Sequence, residues 1–141
     1  MEEIKELKNS IQHCQKVMDV CNLTGNMDCY TEHSNLHKWL EELLFIKTSG
    51  LQEIVNERKR QIESEGFDAY HDQMFNARGE LAFVASCYAL PDGHRTNCLW
   101  PEDWDLEWFK PTPEDRIREL SKAGALISAE INRLQNKDRH G

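Results

Sequence analysis

Glu57, Glu80 and Glu130 fall on three separate helical stretches of this 141-residue chain, and Asp72 lies in the connection between the first two. If those helices bundle, the four carboxylates converge as hard oxygen ligands for a divalent cation, the arrangement by which a helical nucleotide pyrophosphatase holds magnesium against phosphates. The spacing weighs against that chemistry. Helices of that kind pair acids at i and i+3, whereas Glu130 is followed there by Arg133, and Glu53 and Glu57 stand at i and i+4. The preferred reading pairs Glu57, Glu80 and Glu130 with Arg58, Arg60, Arg78 or Arg133 as ion pairs. It calls for no cofactor, and magnesium enters only with the hydrolase alternative.

A second constellation gathers His13, Cys14, Cys21, Cys29, His33 and His37 near the N-terminus. Cys29, His33 and His37 follow one another at steps of four along one helix face, which joined by Cys21 is a possible zinc set. No Cys-x2-4-Cys half-site anchors it, so buried thiols and exposed histidines are the preferred reading. Glycine-rich phosphate loops, Gly-x-Ser-x-Gly elbows and His-Glu-x-x-His pairs do not occur in the chain. Cys87 sits in an apolar run, where a thiol is inert.

The third feature is a connection in which Trp100, Trp104, Trp108 and Phe109 alternate with Glu102, Asp103, Asp105 and Glu107. Aromatic rings with polar handles serve interaction hot spots, and they also clamp a long loop to its own core.

The elements that must position these residues are helices. Ile4, Leu7, Ile11, Cys14, Met18 and Cys21 step by three and four, an amphipathic face that packs on its own domain or pairs two chains as a dimer through residues 4–21. Residues 22–30 read as a loop. A second helix carries Leu36, Trp39, Leu40, Leu43 and Leu44 on one stripe and breaks at Ser49-Gly50. A third presents Leu51, Ile54, Val55 and Ile62 and stops at Gly66. Residues 79–90 are apolar nearly all round, which predicts a central helix covered on every side. After Pro91-Asp92-Gly93 and the tryptophan-rich connection, a last helix starts at Thr112-Pro113 and buries Ile117, Leu120, Gly124, Ile127, Ile131 and Leu134, leaving 135–141 as a frayed basic tail. The expected architecture is all-α, a compact bundle of about five helices with a long Trp-rich loop. It forms one domain, with residues 1–50 as variable N-terminal helices and 51–135 as the core.

Composition narrows the partners. The formal charge of -8 argues against a general nucleic-acid or anionic-membrane binder, since those surfaces need clustered lysine and arginine. A charged N-terminus, and an apolar stretch at 81–90 about half the roughly 20 residues needed to span a bilayer, lead us to expect a cytoplasmic protein. Five cysteines without a Cys-x-x-Cys pair are expected to remain thiols there.

Residues 57–134 also resemble a known family. The segment runs Glu57-Arg58-Lys59-Arg60-Gln61-Ile62, Glu65-Gly66-Phe67, His71-Asp72, Gly79-Glu80-Leu81-Ala82, Cys87-Tyr88-Ala89, Trp100-Pro101, Trp108-Phe109-Lys110-Pro111, Lys122-Ala123-Gly124-Ala125-Leu126-Ile127 and Ala129-Glu130-Ile131-Asn132-Arg133-Leu134. In that order and spacing it is similar to small proteins encoded by tailed phages and prophages. Phe67 stands where that pattern has tryptophan, and Gln73 follows Asp72 where a second acid is expected. The resemblance implies a phage or prophage accessory protein found in the host cytoplasm. It gives Trp100 and Trp108 a structural part and leaves Trp104 freer to act.

The function expected is binding without catalysis: antagonism of a host defence system by capture of a host protein component or a small anionic, nucleotide-like ligand. Arg58, Arg60, Glu80, Trp104 and Arg133 are the candidate binding residues. A metal-dependent nucleotide (pyro)phosphohydrolase using Glu57, Asp72, Glu80 and Glu130 is the alternative, and a structural oligomerisation module is the third.

Overall fold

A two-residue turn at Gly25 and Asn26 folds the first 52 residues into a helical hairpin, α1 (Glu2–Thr24) and α2 (Met27–Lys47). The computed structural model describes residues 1–97 and 99–140; Cys98 lies outside them. They divide into two compact units, Met1–Gln52 and Glu53–Gly141. The loop expected over 22–30 is almost wholly helical. Gly25 takes the left-handed conformation (φ 74°) that a residue with a Cβ adopts only at a cost, and Asn26 caps α2 by accepting the Cys29 N–H. A short turn therefore does what a loop was expected to do.

Within the hairpin, Leu7, Cys14 and Cys21 of α1 are buried, and the α1 stripe faces α2 in its own chain. The stripe read on α2 is split. Leu40 and Leu44 are half-buried, while Leu36, Trp39 and Leu43 are exposed, Trp39 at 64%. The turn and the Lys47–Glu3 ion pair (2.6 Å) at the open end fix the register, and in that register His33 and His37 lie on the half-buried side. Cys21 and Cys29 form a disulfide, correcting the expectation of free thiols. The last turn of α1 stands opposite the first turn of α2, with Cα atoms 6.1 Å apart, within disulfide reach. Cys14 and Cys87 are buried and lie outside this disulfide.

The second unit comprises α3 (Leu51–Glu65, its first two residues in the hairpin unit), α4 (Ala69–Phe75), α5 (Glu80–Ala89) and α6 (Arg116–His140), with 3-10 turns at Asp92–Asn97 and Leu106–Trp108. The described residues thus hold six α-helices and no strand. The helix not foreseen is α4, only seven residues long, which Asp68 starts by accepting the His71 N–H. The centre of the unit is the packing of α5 on α6. Leu81, Val84, Ala85, Cys87 and Tyr88 meet Ala123, Ala125 and Ala129, whose small side chains allow a close approach. Trp100, Trp104, Phe109 and Leu126 close over Val84, Tyr88 and Ala123.

Two expectations about faces are corrected here. The helix at 80–89 is not covered on all sides, because Ala82, Phe83, Ser86 and Ala89 form an exposed strip. On α6 the buried face runs through Glu119, Lys122, Ala123, Ala129 and Arg133, whereas Ile117, Leu120, Ile127, Ile131 and Leu134 are about half exposed or more. The packed side is the one with small residues and with polar groups that find partners. The helix also starts later and ends later than expected: Asp115 caps it by accepting the Arg118 N–H, and it continues to His140 through the supposed tail.

Gly124 marks the close contact of this unit. A Cβ built there would stand 2.5 Å from Ile54 Cδ1, 2.7 Å from Cγ1 and 3.2 Å from Cγ2. Isoleucine is stiff at χ1, so the ring of contacts cannot give freely. Gly124→Ala is therefore expected to lower the unfolding free energy by about 1–3 kcal/mol through overpacking. That outweighs the roughly 1 kcal/mol gain in helix propensity. A urea titration checks the sign, and stabilisation would contradict the contact.

Candidate functional site

Four helices and the tryptophan-rich connection of the second unit enclose a cavity of about 840 Å³. From α3 come Glu57, Arg58, Arg60 and Gln61; from α4 and its end come His71, Asp72, Phe75 and Asn76; from α5 come Glu80, Leu81, Val84 and Tyr88. The connection adds Trp100, Trp104, Trp108 and Lys110, and α6 adds Arg118, Lys122 and Leu126. Of the residues singled out from sequence, Arg58, Arg60, Glu80 and Trp104 line this cavity, as do Glu57 and Asp72. Glu130 and Arg133 are not among its lining residues; they form their own bidentate pair at 2.9 and 2.7 Å.

The aromatic wall is built by edge and tilted contacts. Trp100 meets Trp104 edge-on at 5.8 Å and Phe109 at 5.3 Å, Trp104 meets Trp108 at 5.8 Å, and Tyr88 meets Phe109 at 5.1 Å. Trp100 Nε1 donates to the Trp104 carbonyl, and the Lys110 N–H donates to the Tyr88 hydroxyl, so polar atoms pin both ends of the wall. Trp100 packs over the Val84, Tyr88 and Ala123 cluster. Trp108 is 61% exposed and also lines the cavity. Elsewhere on the lining, the His71 ring contacts Phe67 and Phe75, at 4.9 and 5.1 Å.

Each acidic residue of the cavity is matched to a guanidinium. Arg60 forks onto both oxygens of Glu57 at 2.9 and 2.8 Å and also holds Glu65. Burial pushes the Glu57 carboxyl up, but the Arg60 fork outweighs it, and the group sits below its ordinary range. Arg58 donates to Asp72 at 2.8 Å, and Asn76 donates to the other oxygen of that carboxylate at 3.3 Å. Glu80 is also raised by burial and lowered further by its own and the Arg78 backbone N–H and by the Arg78 guanidinium. Among the described residues, no group of three or more His, Cys, Asp or Glu is arranged to hold a metal ion. Glu57, Asp72 and Glu80 share the cavity but face guanidinium groups. Of the N-terminal set, Cys21 is bonded to Cys29, and His33 Nδ1 lies 3.7 Å from the Cys29 sulfur. His37 pairs instead with Glu41 at 3.5 Å.

Sequence reasoning passed over the remaining cations and the ring beside them. Lys122 is 8% exposed; its ammonium donates to the Lys110 carbonyl at 2.7 Å and lies 5.3 Å from the centre of the Tyr88 ring. Burial, and after it the Arg118 charge, lowers its pKa from the ordinary lysine value. Its i, i+4 spacing from Arg118 was the available signal, but such pairs are common on solvated helix faces. No family model, curated protein or solved structure matches the chain.

Proposed function

We propose that the second unit is a receptor for a small nucleotide-like ligand, a flat ring joined to an anionic tail, which the protein captures without converting it. One observation carries this reading: a single cavity joins an aromatic wall of Tyr88, Trp100 and Trp104 to the cations Lys110, Arg118 and Lys122. A concave, largely apolar site with a few convergent polar groups is the form that small-molecule recognition takes, and it favours a ligand over capture of a protein partner. The resemblance of residues 57–134 to phage-encoded proteins supports placing this capture in a phage or prophage accessory protein, where withdrawing a nucleotide-derived signal would blunt a host defence.

A second reading is turnover of the same ligand class with a divalent metal. The observation favouring it is that Glu57, Asp72 and Glu80 line the same cavity as the cations. In that case a cation would have to displace guanidinium groups from their carboxylates.

Titrating a panel of nucleosides, nucleotides and cyclic nucleotides, with and without magnesium, separates the readings. We expect quenched tryptophan fluorescence and a raised Tm with at least one nucleotide, and unchanged ligand on chromatography. Trp104→Ala should weaken that binding by about 5- to 150-fold, the loss of one stacking contact. Magnesium-dependent product that disappears in Glu80→Gln would establish turnover instead. A panel without any binder would remove the receptor reading.

A further inference from the structure

We infer that Lys110, Arg118 and Lys122 form a phosphate seat at one end of this cavity, taking a phosphomonoester or pyrophosphate group. The inference rests on the receptor reading above and assigns the ligand's charged end. It follows from which cations already have counter-ions. Arg58 is matched to Asp72, Arg60 to Glu57 and Glu65, and Arg78 to Glu80 and Asp103. Lys122 has none: among the described residues its ammonium makes no ion pair, although only 8% of the residue is exposed. Two carboxylates act on it at a distance, but Glu57 has both oxygens taken by Arg60 and Glu119 is bound by Arg95, Arg116 and the Thr112 N–H.

An ammonium has three donors, and Lys122 uses one on the Lys110 carbonyl. The Tyr88 ring offsets part of the charge. Burying a cation in this way is costly unless an anion completes it. Arg118 stands one helical turn before Lys122 and its charge acts on it, and Lys110, whose carbonyl accepts from Lys122, lines the same cavity. Neither side-chain charge makes a hydrogen bond or ion pair among the described residues. The Arg118 and Lys122 charges repel one another, and with Lys110 on the same cavity lining their summed charge suits a doubly charged phosphate better than a single carboxylate. The lowered pKa of Lys122 agrees with this picture.

The test uses inorganic pyrophosphate as the probe, with calorimetry for affinity and thermal unfolding for stability. We expect pyrophosphate to bind the unmodified protein and raise its Tm. Lys122→Met should raise the Tm of the unliganded protein while weakening pyrophosphate binding at least tenfold. Exposed Arg118→Gln should unfold like the parent and also bind several-fold more weakly. Nucleosides that bind while pyrophosphate does not would overturn the seat and leave the receptor reading intact. If no nucleoside, nucleotide or pyrophosphate binds, both fall. Unchanged pyrophosphate affinity in Arg118→Gln, or in a folded but destabilised Lys122→Met, would make these residues structural and overturn the seat.

Discussion

Replacing Glu119 by glutamine is expected to lower the unfolding free energy by about 3–5 kcal/mol, the cost of breaking a buried ion pair by removing one partner. Glu119 is 1% exposed. One oxygen accepts from Arg95 at 2.5 Å and Arg116 at 3.1 Å, and the other accepts the Thr112 N–H at 2.9 Å. The two guanidinium groups in turn donate to carbonyls at the end of α5. Arg116 reaches those of Tyr88, Ala89 and Leu90, and Arg95 that of Leu90. One carboxylate therefore ties the end of α5, both ends of the tryptophan-rich connection and the first turn of α6 together. Its loss leaves Arg95 largely buried beside a second cation.

The same group sets an acid limb. Burial alone raises the Glu119 pKa, but Arg95, Arg116 and the Thr112 N–H lower it further, so the folded value lies below the ordinary one. A carboxylate depressed on folding contributes stability that is complete above its unfolded value, about 4.3, and is lost as pH falls through the folded value. Glu57 and Glu80 shift in the same direction. Urea unfolding from pH 7 to pH 3 should therefore show a plateau and then a decline below about pH 4.5. Glu119→Gln should have a lower plateau and a shallower decline. A variant that matches the parent at pH 7, or declines as steeply in acid, would refute the network's role.

Helix content was legible because Ile4, Leu7, Ile11, Cys14, Met18 and Cys21 repeat with the helical period over several turns. Which face of a helix packs was less legible. On α6 the large aliphatic residues recur at steps of three and four, yet the packed side is the one bearing Ala123 and Ala129 with Glu119, Lys122 and Arg133. Periodicity weights side-chain size, whereas close packing here selects small residues and charged groups that find partners, Glu119 and Lys122 in the connection and Arg133 one turn back on its own helix. The short α4 has no apolar period to detect; its Asp68 cap and the Phe67–His71–Phe75 ring contacts mark it only after folding. In the site, Arg58, Arg60, Glu80 and Trp104 stood out by residue type. Tyr88 and Lys122 look ordinary on their own helices, and their significance lies in the connection that packs across them. The cysteine count could not foretell the Cys21–Cys29 bond, because pairing depends on the register of the hairpin.

Asp72→Leu alone and Arg58→Met alone are each expected to destabilise the protein by about 3–5 kcal/mol, while the two combined cost only about 1–3 kcal/mol, far less than the sum of the single effects. Asp72 is 1% and Arg58 9% exposed, and their contact at 2.8 Å is the only ion pair Arg58 makes among the described residues. Arg58 already carries a buried Nε without a hydrogen-bond partner, and its contact to Gln61 is long, at 3.4 Å. Without Asp72 the guanidinium would be a buried charge with one weak bond, whereas leucine and methionine of similar volume leave no charge unpaired and cost only the hydrogen bonds of the buried Asn76 and Gln61 amides. The cycle thus measures a coupling and not two independent losses, and additive single effects would show that the pair is not a unit. The double variant also bears on the site. Arg58 and Asp72 line the cavity as a neutral pair, so their joint replacement should leave pyrophosphate binding at the Lys122 end within about threefold of the parent, less than the tenfold that 1.4 kcal/mol represents. A folded double variant that no longer binds pyrophosphate would place the anion beside Arg58 instead.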